Sequence, residues 1–474
     1  DEIPLLAVLP FSSADAASRE LARGLTDEVT NLLARRFGDR LGVLARTSAD
    51  RWGDPAPASP LPGDGARVDY LVEGAVHLVG DEPVTKIRLR RARSATLLWT
   101  DTLRRSSADE AFEVADAVDG IARAVGLEPA PASRRPPPAA LPAAAQEAYF
   151  EALAKLSQGT GTDRMEAGAA LERVFDLAPA FAPAQVAWAR LQMDQAVPGT
   201  RSVEAAHRAL RRALELDPDD PYALLLLAKL QLYVLHEPDE AGRLYQRALA
   251  IAPRLGTAHH LYGFWLSSRG RHAEALAEVG RGLALDPLAS EIHSDLAWVH
   301  YFAGHRADAV RWARRALALS DRNDEARLAL IAAATDLGDE ATALAAGRDL
   351  MARWIARGAP APAAPVRGLE GFWRWEVAAL EARERVVYLP PVLSAMPLLR
   401  LGRSDEALSR LLRSCTERSG WMVPFLDVDP RWDAVRDRPL FLEAQRCLAA
   451  GAGAANDGGP EPQTRTALVP RRPR

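Results

Sequence analysis

The chain is short of lysine, of cysteine and of long apolar runs. Three lysines, Lys86, Lys155 and Lys229, stand among 59 basic residues, so nearly all the positive charge is arginine. Acidic residues number 63 and the net charge is −4, which excludes a general affinity for polyanions. Two cysteines, Cys415 and Cys447, are too few for a disulfide framework, and the sequence leaves open whether they bridge. No apolar run is long enough to cross a bilayer, and no signal peptide opens the chain. The start, DEIPLLAVLPF, has no methionine and is expected to be a processed or excised start, with any membrane tie upstream. Motifs of catalysis are missing as well. There is no GxSxG, no HExxH, no Gly-rich phosphate loop and no carboxylate pair placed for acid–base work. The chain is therefore expected not to be an enzyme, and no cofactor or metal is expected. What remains is ordinary for a globular protein, 48% hydrophobic and 26% charged over 474 residues, enough for two or three domains.

What is present is a repeat. AHRALRRALELDP, AGRLYQRALAIAP, ALAEVGRGLALDP and AVRWARRALALSD end at positions 218, 253, 287 and 321, a period of 35, 34 and 34 residues. An earlier copy, AGAALERVFDLAP, ends at Pro179, with the extra residues before Pro218 placed in the turn VPGTRS. A fixed period of this size marks stacked helix pairs. In the third unit, Gly263, Ala275 and Gly282 let backbones approach, while Tyr262, Leu266 and Val279 fill the space between helices. Gly270 suits a left-handed turn after the first helix of the unit. These positions resemble the tetratricopeptide repeat. The resemblance implies a helical solenoid across 143–356, with a degenerate unit and a cap over 357–450.

Residues 1–128 read differently. LLAVLPF and LGVLAR are short apolar strands, and the stretch between them has helical spacing through Leu21, Leu25, Val29 and Leu32. YLVEGAVHLVG and VTKIRLRRARSATLLWTDTLRR alternate as an antiparallel pair or triplet, and FEVADAVDGIARAVG closes as an amphipathic helix. SSAD and TSAD read as helix N-caps, and the basic strand RLRRARSATLLW as a solvated sheet face. The order AVLPF, GLTDE, ARTS, YLVEGAV and LW resembles the TolB-type amino-terminal α/β domain of bacterial signalling proteins, departing from it where the Pro/Gly loop of residues 53–66 follows ARTS. The resemblance implies a non-catalytic α/β module ahead of the repeats, in proteins such as membrane-tethered winged-helix regulators or adenylate-cyclase-linked proteins. A Pro-rich linker, 129–142, is expected to leave the module as a unit that folds without the repeats. The tail, 451–474, lacks a core and is expected to be disordered.

Two constellations invite a functional reading. His259, His260, His293, His300 and His305 crowd two neighbouring units, but packing or surface roles are favoured over a metal site, which needs a third ligand and a second shell. The groove lined by the first helix of each unit is the better candidate. Its inward positions are expected to include Tyr222, Lys229, Tyr233, His260, Phe264, Trp298, Tyr301 and Phe302, with Arg190 adding charge that steers an acidic peptide. Helical periodicity leaves open whether these rings anchor a partner or pack under the chain's own carboxy-terminal segment.

The expected function is the sensory or protein-interaction region of a bacterial signalling or transcriptional-regulator protein, binding a protein or peptide in the groove. The alternatives are a region attached to a class III adenylate cyclase or kinase, or an independent envelope scaffold. A homo-oligomer stays open, direct nucleic-acid binding is not expected, and the membrane enters only through upstream sequence. Location follows from that sequence: the periplasmic face of a membrane if a helix precedes, otherwise the cytoplasm.

Overall fold

The computed structural model describes residues 4–13, 18–44, 49, 68–79, 82–104, 113–128, 141–158, 161–194, 201–419 and 422–450. The linker apart from its last two residues, the tail, the Pro/Gly loop, and the SSAD and TSAD caps in large part lie outside the described residues. The fold is a small mixed sheet with helices, followed by a tetratricopeptide-like series of helix pairs.

The strands are β1 (Leu5–Val8), β2 (Ser12–Ser13), β3 (Gly42–Val43), β4 (Tyr70–Val79), β5 (Glu82–Arg91) and β6 (Leu97–Leu103). They lie in the order β3-β1-β4-β5-β6, with β2 also on β4. β1 runs parallel to β3 and β4, while β4, β5 and β6 form the expected antiparallel triplet. On β5, Lys86 and Arg88 are exposed while Ile87 and Leu89 are buried, the alternation of a strand with one wet face. Helices α1 (Ser18–Phe37) and α2 (Val114–Ala124) cover the face that carries Leu6, Val8, Val72 and Ile87.

The pairs follow in order: α3 (Ala143–Gln158) with α4 (Gly161–Leu177), α5 (Ala182–Asp194) with α6 (Arg201–Leu216), and α7 (Pro221–Tyr233) with α8 (Pro238–Ile251). Then come α9 (Gly256–Ser268) with α10 (His272–Leu285), α11 (Ser290–Phe302) with α12 (Arg306–Leu319), and α13 (Asp324–Asp336) with α14 (Glu340–Ala356). The chain continues through α15 (Gly368–Glu384), α16 (Val392–Arg400) and α17 (Ser404–Thr416). Two 3-10 turns, Val423–Phe425 and Pro430–Val435, lead to α18 (Pro439–Ala450). Starts are chemically marked. Asp220 accepts from the amides of Tyr222 and Ala223 ahead of Pro221, Asn323 accepts from Ala326 and Asp339 from Thr342. Turns within a unit use glycine at positive φ, Gly270 at 73° and Gly304 at 86°, as the repeat pattern predicts. Cys415 and Cys447 form a disulfide that joins α17 to α18.

The amino-terminal module packs onto the repeats and does not stand apart from them. Its helix α1 packs on α3 so closely that a Cβ on Gly24 would lie 2.4 Å from the Cβ of Phe150. The second face of the sheet, Leu5, Ala7 and Leu71, shares a cluster with Leu285 and Leu288 of the repeats. Arg35 of α1 pairs at 3.1 Å with the fully buried Asp220. Arg254 donates its amide to the Gly38 carbonyl at 2.8 Å. The physical reason is burial on both sides: a strand reading LLAVL has no polar face to give to water.

Two substitutions test this packing. A leucine at Gly282 must enter a gap where even a Cβ would stand 2.9 Å from the Gly256 carbonyl oxygen. Overpacking of this kind costs about 1–3 kcal/mol, so Gly282→Leu is expected to lower the thermal midpoint, and an unchanged midpoint would refute the contact. Asp220→Ala takes the ion-pair partner from the buried guanidinium of Arg35, leaving only the neighbouring Glu28 to balance it, and removes a helix cap. Breaking a buried pair costs about 3–5 kcal/mol. Its midpoint is expected to fall far more than that of Asp339→Ala, which removes an exposed cap; equal losses would show that Arg35 and Asp220 do not hold the seam.

Candidate functional site

The first helices of successive units, α5, α7, α9, α11 and α13, contact one another in a continuous inner row. This row carries every residue named as a groove candidate, but the structure divides them into two groups.

The first group is covered. Phe264, Trp298, Tyr301 and Phe302 are all at most 6% exposed. The ring of Phe425 lies 4.6 Å from Phe264 and 4.9 Å from Phe302, centroid to centroid. The guanidinium of Arg431 sits 5.1 Å above Trp298, and its Nε donates to Asp429 Oδ1 at 2.9 Å. Tyr301 donates its hydroxyl to Asp336 at 2.8 Å. As free anchors these four residues are withdrawn: the chain's own 3-10 turns occupy the place a partner was expected to fill. The apolar faces that made them look like anchors are satisfied internally.

The second group is less covered. Tyr222, Lys229, Tyr233 and His260 are half-buried and Arg190 is exposed. Tyr222 belongs to the seam, under Arg35 at 5.8 Å, and burial pushes its hydroxyl up to about 12. His260 is held by Asp295, Nδ1 to Oδ2 at 2.8 Å. Tyr233 stands near Asp295 and Glu325, and its hydroxyl is raised well above the usual value by burial, then by Tyr245 and these carboxylates. Glu325 is reached by solvent at the floor of the row. Desolvation, then Asp295, hold its carboxyl above the usual value, with Lys229 opposing and Glu291 and Asp324 adding to the rise. Asp324 is committed to Arg353 and Arg357, whereas Lys229, Glu291 and Glu325 have no ion-pair partner among the described residues. The open part of the row is therefore polar, with Glu291 and Glu325 set beside Lys229 and Arg322.

Residues 2–120 match the model of the second domain of HilA/YgeH-like transcriptional regulators. No curated protein matches the chain. Among solved structures, the type IV pilus biogenesis factor PilW aligns at 21% identity over 43% of this chain and 92% of its own, with a TM-score of 0.37. A thermophilic tetratricopeptide protein of Thermus thermophilus aligns at 18% over 39% and 98%, with a TM-score of 0.35. PilF of Pseudomonas aeruginosa aligns at 18% over 56% and 97%, with a TM-score of 0.33. At these values the likenesses carry nothing about partners or activity.

Sequence reasoning missed Phe425, Arg431 and the acidic residues of the floor. It also missed a cavity of ≈ 100 Å³ behind the covered rings, lined by Trp298, Ile331, Phe372, Val392, Met396 and Met422 among others. Glu376 lines it with no hydrogen bond or ion pair among the described residues, and Thr335 adds a buried hydroxyl without a partner. Burial pushes the Glu376 carboxyl up to about 8, with Arg431 pulling the other way. An EVAAL stretch on a helix gives no sign of this, since the apolar surroundings come from distant segments.

The Glu376 shift has a pH consequence. The folded chain keeps this proton up to about 8, whereas an unfolded carboxyl loses it near 4.5. The folded state thus binds more protons across that window, and stability from this group, full below it, is lost as pH rises through it. Glu376→Gln is expected to lose less melting temperature than the parent between pH 5 and pH 8.5 and to be the more stable of the two at the upper end. Parallel curves would show that Glu376 ionises normally in the fold.

Proposed function

We propose that this chain is the non-catalytic protein-interaction region of a bacterial signalling or transcriptional-regulator protein, and that it holds a protein or peptide segment on the open part of the inner row. The observation that carries the reading is the floor formed by Tyr233, Glu291, Glu325 and Lys229, with charges not paired among the described residues and an aromatic side chain beside them. Carboxylates at the bottom of a row of helices favour a segment with basic residues, and an aromatic neighbour adds contact area at little loss of conformational freedom. The regulator part of the reading is supported by the HilA/YgeH-like match over residues 2–120. The Cys415–Cys447 bridge suits an oxidising compartment, which favours the periplasmic face of a membrane. We assign no direct nucleic-acid contact to this region.

The test is a charge reversal on the floor. Glu291→Arg with Glu325→Arg is expected to weaken binding of an immobilised basic peptide library at least tenfold, and Tyr233→Ala to weaken it less, with circular dichroism unchanged. A crosslinker placed at position 233 in the parent protein is expected to capture the partner. Crosslinks confined to the amino-terminal sheet, or peptide binding indifferent to the reversal, would sink the reading.

A further inference from the structure

A cluster unrelated to that floor lies where α11 turns into α12. His300 is in the last turn of α11, His305 is the residue before α12, and Asp308 is in the first turn of α12. Gly304, at φ 86°, reverses the chain between them. The turn brings the two imidazoles together, Nδ1 to Nδ1 at 3.4 Å, and sets Asp308 Oδ2 3.9 Å from His300 Nδ1. One donor atom from each of the three residues lies within 4.8 Å of the other two.

The other histidines of this region have structural work. His259 meets Glu278 and the Pro253 carbonyl, His260 meets Asp295, and His293 meets the Ala289 carbonyl. His300 and His305 face each other instead, at a separation long for a hydrogen bond. It matches another geometry. In tetrahedral coordination with metal–nitrogen bonds of about 2.0–2.1 Å, two ligand nitrogens stand about 3.3–3.4 Å apart.

The outer partners are present too. Arg311 donates to Asp308 Oδ1 at 2.9 Å and leaves Oδ2 to face His300. His272, at the start of α10, is fixed through Nδ1 by Ser267 Oγ at 3.1 Å. His305 is exposed and Asp308 half-buried, which leaves the site open to an ion from solvent.

We propose that His300, His305 and Asp308 form a binding site for one divalent transition ion of the zinc class, with its remaining position open to water, to His272 or to a partner's donor. Two imidazoles with one carboxylate select borderline ions such as Zn²⁺ and Co²⁺ over the hard ions Mg²⁺ and Ca²⁺, which take oxygen. The third ligand and outer shell that the sequence did not reveal are supplied by the turn. An ion there ties the end of α11 to the start of α12.

The experiment uses the full, untagged chain, stripped with a chelator and titrated with Zn²⁺ by calorimetry and with Co²⁺ by visible absorption. One ion per chain is expected, with Co²⁺ giving the intense bands of a low-coordinate site. His305→Ala and Asp308→Asn are each expected to weaken binding at least tenfold while keeping the metal-free melting temperature. His77→Ala, on the exposed end of β4, is expected to change nothing. A rise in melting temperature with Zn²⁺ is expected for the parent and lost in His305→Ala. The proposal is overturned if Zn²⁺ does not bind below millimolar concentration, if His305→Ala binds as the parent does, or if Mg²⁺ competes equally.

Discussion

A row of helix pairs has two ends and an inner face that no repeat can cover for itself. In this chain the first end is closed by α1, whose Gly24 lets Phe150 come into contact and whose Arg35 reaches the buried Asp220. Asp220 serves twice, as the partner of Arg35 and as the cap of α7. The sheet therefore does not hang from the repeats by a linker. It is a layer between α1 and α2 on one side and Leu285 and Leu288 on the other. The far end is closed by α16, α17 and α18 around Trp432 and Phe441, and the same closing segment sends Phe425 and Arg431 onto the inner row.

The legible part of this was whatever repeats or alternates locally. The 34-residue period, the glycines at the turns and the strand alternation of β5 all depend on neighbours a few positions away, and each is found where the pattern puts it. The illegible part depends on pairs far apart in the chain. Phe264 and Phe425 meet across more than a hundred residues, and nothing in the spacing of α9 distinguishes a ring that faces a groove from one that faces such a partner. The same holds for Glu376. For the module, a signal was present and was outweighed: LLAVL has no polar alternation, which is the mark of a strand buried on both faces, whereas the Pro-rich linker pointed to a boundary.

The histidines show a third limit of reading by spacing. Spacing motifs for metal ligands assume residues on one helix or one ribbon. His300, His305 and Asp308 are spread over a helix end, a glycine turn and a helix start, so their convergence is a property of the turn and not of any one period. A turn that recurs in every unit becomes distinctive only where the side chains flanking it do.

Whether the closing segment shares the inner row with a partner is a question of magnitude. To uncover Trp298 and Phe302, a ligand must expose Phe425 with them, and each buried aromatic is worth about 1.5–3 kcal/mol. It must also part Arg431 from the ring of Trp298 that it covers, and Asp429, paired with Arg431 from two residues away, moves with it. Three such rings come to roughly 4.5–9 kcal/mol, a large part or all of the about 8 kcal/mol that holds a micromolar complex together. The Cys415–Cys447 bridge further ties α17 to α18, the two helices that flank the segment, which restricts the ways it can leave. The segment is thus a fixed part of the fold and not a stand-in that a peptide displaces. On the proposed reading, recognition on this face falls where the cover ends, near Tyr233, Glu291 and Glu325, and rests on charge and one aromatic contact instead of a line of apolar anchors.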